Sequence, residues 1–253
     1  MNGNSSGPPD LHGQTAVVTG AGGGIGNKIC QSFAREGADV IATDIDSDRL
    51  SNVVELVESR GQACESVACD VTDPADIDLL HEASHNFSDK IDILVMAHGV
   101  SPELPFEKTT LDDWNRIIGI NLTGSFLLVD RFFDDLAANG YGKIVAIGSI
   151  VGETGKSGQN TAYAASKGGL HGFMKDIAGY GSSYGVYANV IAPSLVRTPM
   201  TEDLREFPED YTPLGRTGVP EDIAEAALFL GSPMSNWITG IILQIDGGRS
   251  LMP

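Results

Sequence analysis

Seven short apolar runs, set apart by stretches of helical period, leave this chain few folds to choose from. The runs are Ala16–Thr19, Val40–Thr43, Cys64–Cys69, Ile91–Ala97, Lys143–Ile147, Tyr187–Ala192 and Ile241–Ile245. Between them, Ile25–Ala34 repeats apolar residues at helical spacing, and Leu50, Val53, Val54 and Val57 share one helical face. Pro74 opens a helix at a first-turn position, where its missing N–H costs nothing. Longer helical stretches cover Asp112–Ala138 and Thr161–Tyr184. Most of the runs are continuously apolar instead of alternating, so their strands are buried on both faces, as in a parallel sheet covered by helices on each side. No internal repeat or long linker divides the chain. The expected fold is therefore α/β: one doubly wound parallel sheet of seven strands, Rossmann-like, in a single domain over 14–253. Residues 1–13 read as a disordered tail, with no apolar stretch to pack.

Charge narrows the function. Lys and Arg number 16 against 34 Asp and Glu, a net −18, which disfavours wrapping a phosphate backbone or docking an acidic carrier protein. Nucleic acid is therefore not an expected partner. No run is long and apolar enough to span a membrane, and the first residues lack the cationic end and apolar stretch of a secretory signal. Cys30, Cys64 and Cys69 form no C-x-x-C pair, which suits free thiols in a reducing compartment. A cytoplasmic location is expected.

The first apolar run leads into Thr19-Gly20-Ala21-Gly22-Gly23-Gly24-Ile25-Gly26 and then a helix. Glycines here let the backbone turn sharply and approach a pyrophosphate, which rests on helix N–H groups at the positive end of the dipole. The second run ends in Asp44, 18 residues past Gly26. A carboxylate there can accept hydrogen bonds from a ribose 2′-OH and repels a 2′-phosphate. Positions 21 to 25 carry no Lys or Arg, and Ile45 follows the aspartate, so NAD is favoured over NADP. Asp46 and Ser47 are better placed than Asp44 to cap the next helix.

Tyr163 and Lys167 stand four apart on a helix and share a face. Taking a phenol from pKa about 10 to about 7 requires roughly 4 kcal/mol. A cation at ~4 Å supplies about that much at an effective dielectric near 20. The ordered set Thr19-Gly-x-x-x-Gly-x-Gly26, Asp70-Val71, Asn121, Ser149, Tyr163-x-x-x-Lys167 and Pro193-Ser-Leu-Val-Arg-Thr198 resembles the short-chain dehydrogenase/reductase family, in its single-domain branch of about 250 residues. Gly218-Val-Pro-Glu-Asp-Ile-Ala and Asp246-Gly-Gly resemble that family's C-terminal segment.

The resemblance implies hydride transfer between NAD and a secondary alcohol or ketone. Tyr163 would exchange the proton, with Lys167 lowering its pKa and holding the nicotinamide ribose. Ser149 would hydrogen-bond the substrate oxygen, and Asn121 would position a water linking Lys167 to solvent. Gly20, Gly24, Ile25 and Gly26 would hold the pyrophosphate, and Asp44 and Ile45 the adenosine ribose end. Asp70 and Val71 would meet adenine, Ala97 and Gly99 its ribose, and Val196 and Thr198 the carboxamide. The family commonly pairs helices between subunits, and Ala164, Ala165, Gly168, Gly169 and Gly172 would permit close packing in a homotetramer.

This chain departs from the family pattern at three places. Met96-Ala97-His98-Gly99 stands where the family usually reads Asn-Asn-Ala-Gly, so the side-chain bonds of an Asn are lost; His98 reads as a packed loop residue. Ser149 precedes Tyr163 by 14, one more than usual, and Ser194 replaces a glycine. Met200–Pro213, with Phe207, Pro208 and Tyr211, reads as a lid whose apolar residues favour a partly hydrophobic substrate. His81-Glu-Ala-Ser-His85 matches the zinc-protease pattern, but its helix lies away from the ligand-binding strand ends, so solvent-facing histidines and no functional metal are expected. Gly155-Lys-Ser157 imitates the end of a phosphate loop without its first glycine. The rival reading is a non-catalytic NAD-binding sensor, which could dispense with Asn121, Ser149, Tyr163 and Lys167. A methyltransferase would not need the Tyr–Lys pair.

Overall fold

In the computed structural model, which describes residues 9–138, 140–155, 158–201 and 211–252, successive residues of β1 (Thr15–Thr19) point into different cores. Val17 packs into one helical layer, Ala16 and Val18 into the other, and all three are fully buried. β2 (Asp39–Asp44) repeats the arrangement with Ile41 against Val40 and Ala42, and β4 (Ile93–Met96) with Leu94 against Ile93 and Val95. Burial on both faces is why these strands read as unbroken apolar runs. β3 (Cys64–Ala68) is one edge of the sheet and largely exposed, which accounts for its weaker pattern.

With β5 (Gly142–Ile147), β6 (Val186–Pro193) and β7 (Ile242–Ile245), the seven strands run in the order β3-β2-β1-β4-β5-β6-β7. Every pairing is parallel. The expected doubly wound sheet is present. α1 (Gly24–Arg35), α2 (Ser47–Glu58) and α8 (Pro220–Gly231) cover one face, where Ile29, Phe33, Leu50, Val53, Ile223 and Leu228 share a core. α3 (Pro74–Phe87), α5 (Gly124–Ala138) and α7 (Thr161–Gly181) cover the other, with the single turn α6 (Val151–Thr154) leading into α7. The order in which strands are added reverses between β1 and β4, and such a switch point opens a crevice at the strand C-termini.

Four local expectations change. Leu11, placed in the tail, is fully buried and its N–H donates to Glu36 O at 2.8 Å, so packing begins before Gly13. The single helix expected over Asp112–Ala138 is α4 (Leu111–Ile118), a π turn (Gly119–Thr123) and α5. α7 ends at Gly181, three residues of tighter 3₁₀ turn following it. A Cβ on Gly168 would lie 3.0 Å from Gly152 O, and one on Gly169 2.7 Å from Leu122 Cδ2. Those two glycines therefore serve packing inside the chain; a Cβ on Gly172 would meet nothing within 4 Å. Among the described residues, no helix is long and apolar enough to cross a membrane.

Candidate active site

The glycine turn closes by backbone contact. Gly20 has φ +65°, and a Cβ there would stand 2.7 Å from the Ala97 carbonyl group; one on Gly26 would strike the Gly20 carbonyl. α1 follows with no side-chain cap and no acidic residue in its first turn. Its leading N–H groups and positive dipole end are thus free of an internal anion, as a pyrophosphate site requires. The turn is a cradle that side chains would fill, and it fits a dinucleotide.

Asp44, at the end of β2, holds this cradle from the side. Its Oδ2 accepts from Gly22 N–H at 3.0 Å and its Oδ1 from Asp46 N–H at 3.1 Å. Asp46 caps α2 by accepting from Asp48 N–H, so Asp44 is indeed not the cap. Arg49, absent from the sequence reading, runs close beside Gly22, but its guanidinium pairs with Asp46 at 2.8 Å. Ile45 is exposed beside it. Asp70 folds into an Asx turn, accepting from Thr72 N–H at 2.9 Å, and Val71 is wedged against Gly124.

Past β4, Ala97 carries no polar side chain, and His98 supplies what it lacks. His98 Nδ1 lies 2.6 Å from Thr19 Oγ1, and Nε2 lies 3.3 Å from Ser125 Oγ. Ser125 Oγ donates to Asn121 O at 3.1 Å, so a consistent proton order has Thr19 donating to Nδ1 and Nε2–H donating to Ser125. Burial and the nearby Lys167 charge hold His98 neutral, at a pKa of about 3. His98 is packed in its loop, and its ring also bridges the glycine turn to the π turn. Its partners are distant in sequence, so only the coincidence of Ala97 with a neighbouring His could have hinted at it.

Asn121 sits in the π turn, a distortion that recurs at functional sites. Its Oδ1 accepts from Val100 N–H at 2.8 Å, and its Nδ2 donates to Val100 O and to Ser166 Oγ, both at 3.0 Å. Ser166 Oγ donates in turn to Tyr163 O at 2.8 Å. The amide is thus a bracket between the loop after β4 and the helix of Tyr163 and Lys167. Gly99 keeps the space beside it open, since a Cβ there would come within 3.2 Å of Asn121 Oδ1 and 3.5 Å of Lys167 Nζ.

Ser149, Tyr163 and Lys167 line one cleft with Ile25, Ala97, His98, Gly99, Val196 and Thr198. The buried Lys167 Nζ donates to Ile147 O at 2.7 Å and lies 5.8 Å from the Tyr163 ring centre. Burial lowers its pKa to about 8. Burial pushes the Tyr163 phenol above its ordinary value, and a hydrogen bond with Ser149 works against the rise. Burial is the larger effect on the phenol, and Lys167 Nζ donates to Ile147 O, so the expected lowering by Lys167 is not expressed in the protein alone. Thr198 is packed against Gly24 at the α1 N-terminus, and Val196 forms a parallel bridge with Gly218. Ser194, in place of the usual glycine, donates to Asp246 O at 3.1 Å. Of the expected lid, Met200, Thr201 and Tyr211 line the cleft; Phe207 and Pro208 lie outside the described residues, as do Lys156 and Ser157.

A family profile described as Enoyl-(Acyl carrier protein) reductase matches residues 20–250. The chain is 34% identical over 243 residues to 3-oxoacyl-acyl-carrier-protein reductase FabG of Aquifex aeolicus, covering 94% of this chain and 98% of that one. It is 36% identical over 248 residues to galactitol 2-dehydrogenase (L-tagatose-forming) of Cereibacter sphaeroides, covering 95% and 96%. Among solved structures, a short-chain type dehydrogenase/reductase from Mycobacterium marinum aligns at TM-score 0.92 and 29% identity, covering 96% and 98%. A Beutenbergia cavernae protein, provisionally described as an NAD(P)-dependent gluconate 5-dehydrogenase and solved with NADP at low occupancy, aligns at 0.91 and 33%, covering 97% and 100%. With the glycine cradle, the parallel sheet and the Ser–Tyr–Lys cleft in place, these matches over nearly the whole length establish that the chain belongs to the short-chain dehydrogenase/reductase family of NAD(P)-dependent oxidoreductases.

Proposed function

We propose that this oxidoreductase is an NAD-dependent dehydrogenase of free secondary alcohols, and a ketone reductase in reverse, with Tyr163 as general acid/base. The observation that carries the reading is the convergence of Ser149, Tyr163 and Lys167 in one cleft beside the glycine cradle. A bound nicotinamide cofactor supplies the hydride acceptor or donor. Ser149 orients the substrate oxygen and keeps the Tyr163 phenol directed at it. Tyr163 takes the alcohol proton in oxidation and returns it in reduction. Lys167 holds positive charge next to the phenol and offers its remaining N–H bonds to a ribose. Asn121 fixes the Lys167 helix against the Val100 loop, with Gly99 leaving an open approach to Lys167 through which a proton reaches solvent.

The preference for NAD rests on Asp44, whose carboxylate faces the turn where a 2′-phosphate would have to sit, and on Arg49 being paired with Asp46. On this reading Asp70, Val71, Ala97, Val196 and Thr198 would make the cofactor contacts that the family pattern assigns to them. A free alcohol is favoured over a carrier-bound acyl group because a net charge of −18 repels an acidic carrier. We also propose a cytoplasmic homotetramer; the outward Ala165 and Gly172 on α7 and the half-exposed Phe126 on α5 support close helix pairing. Light scattering should give four times the 26.6 kDa chain mass.

The test is NADH formation at 340 nm across a panel of secondary alcohols, with NADP in parallel. Turnover with NAD and little with NADP is expected. Asp44→Ala should narrow the gap between the two cofactors. Equal use of both by the wild type would overturn the Asp44 argument, and binding of NAD without turnover on any alcohol or ketone would favour the sensor reading.

A further inference from the structure

On the outer surface of the α3–α5 layer, away from the cleft, three side chains converge on one point. His81 Nε2 lies 2.8 Å from Asp135 Oδ2, His85 Nε2 lies 3.0 Å from Asp135 Oδ1, and the two Nε2 atoms are 3.2 Å apart. The expectation of solvent-facing histidines holds for His85, 41% exposed, but fails for His81, whose side chain is only 13% exposed, beside Asp135 at 18%. His81 and His85 come from successive turns of α3, and Asp135 from the last turn of α5.

We propose that His81, His85 and Asp135 form a binding site for a zinc-type divalent cation that staples α3 to α5. Ligands about 2.0–2.1 Å from one tetrahedral ion stand roughly 3.3 Å from one another. The two Nε2 atoms are within about 0.1 Å of that spacing, and each faces a different oxygen of the one carboxylate at 2.8 and 3.0 Å, so a small rotation of Asp135 presents one oxygen to an ion held by both rings. The rings are not stacked: they meet at 67° with centres 4.5 Å apart, and Phe132 packs edge-on against His81 at 5.1 Å, fixing its orientation. Without a cation, each ring can give one N–H to the carboxylate, which leaves two donor nitrogens facing each other at 3.2 Å. A cation replaces that opposition with two lone pairs and a carboxylate oxygen directed at one charge.

The surroundings decide the class of ligand. Two imidazoles and a carboxylate suit zinc, cobalt or nickel better than calcium or magnesium, which prefer oxygen. Arg131 lines the same depression, but its Nε donates to Asp78 at 2.7 Å, so its charge is already paired. Glu82 also borders the depression, on the solvent side. A water completes the fourth position. The staple is structural, since none of its residues lines the Ser149–Tyr163–Lys167 cleft.

The experiment titrates chelator-treated, tag-free protein with Co²⁺, whose visible absorption reports tetrahedral coordination, and with Zn²⁺ in competition. One equivalent should bind with a tetrahedral spectrum, and Zn²⁺ should displace it and raise Tm. His85→Ala and Asp135→Asn should each weaken binding by more than about tenfold. Both should keep wild-type turnover and metal-free Tm close to wild type. The proposal is overturned if wild-type protein takes up no Co²⁺, or if both variants bind it as wild type does. His85→Gln provides a second readout should His85→Ala fold poorly, and it too should lose the tetrahedral spectrum.

Discussion

Replacing His98 by alanine tests the bridge between the cofactor turn and the catalytic helices. The ring contributes one short contact to Thr19 at 2.6 Å and one long contact to Ser125 at 3.3 Å. Loss of a hydrogen bond costs about 1 kcal/mol, and leaving a buried hydroxyl poorly satisfied costs ~1–3 kcal/mol. Thr19 is fully buried and keeps only Val95 O at 3.4 Å, whereas Ser125 keeps Asn121 O. The penalty therefore falls mostly on Thr19, and His98→Ala should lose about 2–3 kcal/mol in urea unfolding. Because Thr19 starts the glycine turn, KM for NAD should rise more than kcat falls. The decisive arm is Ala97→Asn with His98→Ala, which moves the polar group back to the usual family position and should recover at least half of the loss. There is also a pH signature. Between about 3 and 6.5 the unfolded chain binds a proton that folded His98 refuses, so this group makes stability fall as pH drops below 6.5. His98→Ala should flatten that acid limb. A loss under ~0.5 kcal/mol, or a double variant no better than the single, would refute the bridge.

Tyr163→Phe should bind NAD as wild type does while turnover falls by about 10²–10⁴-fold, measured by fluorescence quenching and NADH formation. In the wild type, burial raises the phenol pKa, so alcohol oxidation should speed up with rising pH through the alkaline range; a flat profile would count against Tyr163 as the base. Lys143 is fully buried in β5 with Nζ 3.8 Å over the Tyr187 ring, and its pKa is lowered to about 8. Between that value and about 9 the unfolded chain holds more protons at this residue, so stability should rise with pH; above about 9 the Cys30, Cys64 and Cys69 thiols, pushed up by burial, work in the opposite direction. Lys143→Met should stabilise the protein by about 1–3 kcal/mol at neutral pH and reduce the rise between about pH 8 and 9, to which Lys167 also contributes. Gly26→Ala drives a methyl into the Gly20 carbonyl and should cost ~1–3 kcal/mol while abolishing NAD binding, as read by calorimetry.

The sheet was legible because β1, β2, β4 and β5 are buried on both faces, and that constraint writes itself into contiguous residues. The glycine turn and the Tyr163–Lys167 pair were legible for the same reason: short spacings carry their geometry. α8 is not legible as a helix, since Gly218-Val-Pro-Glu-Asp-Ile-Ala carries only a family resemblance. Its apolar face is now seen to close the core against Phe33. The π turn was illegible because its sequence keeps a helical period. Contacts of Asn121 with Val100 and Ser166, 21 and 45 residues away, accompany the extra residue in that turn. The His98 bridge and the His81–His85–Asp135 cluster depend on partners from other elements, which no local pattern encodes.

The strand order also governs how the chain is made. β1, β2 and β3 can pair as soon as they leave the ribosome, but β1 then presents a bare edge, apolar on both sides, until β4 is synthesised. Such an edge recruits other chains, and parallel pairing across long crossovers is slow. Gly20 meets Ala97 only once β4 docks, so the nascent half-sheet has an unclamped turn and cannot be rescued early by cofactor. Damage to Ile93–Met96 should therefore surface in cells as aggregation during synthesis, with the protein that does escape being fully active.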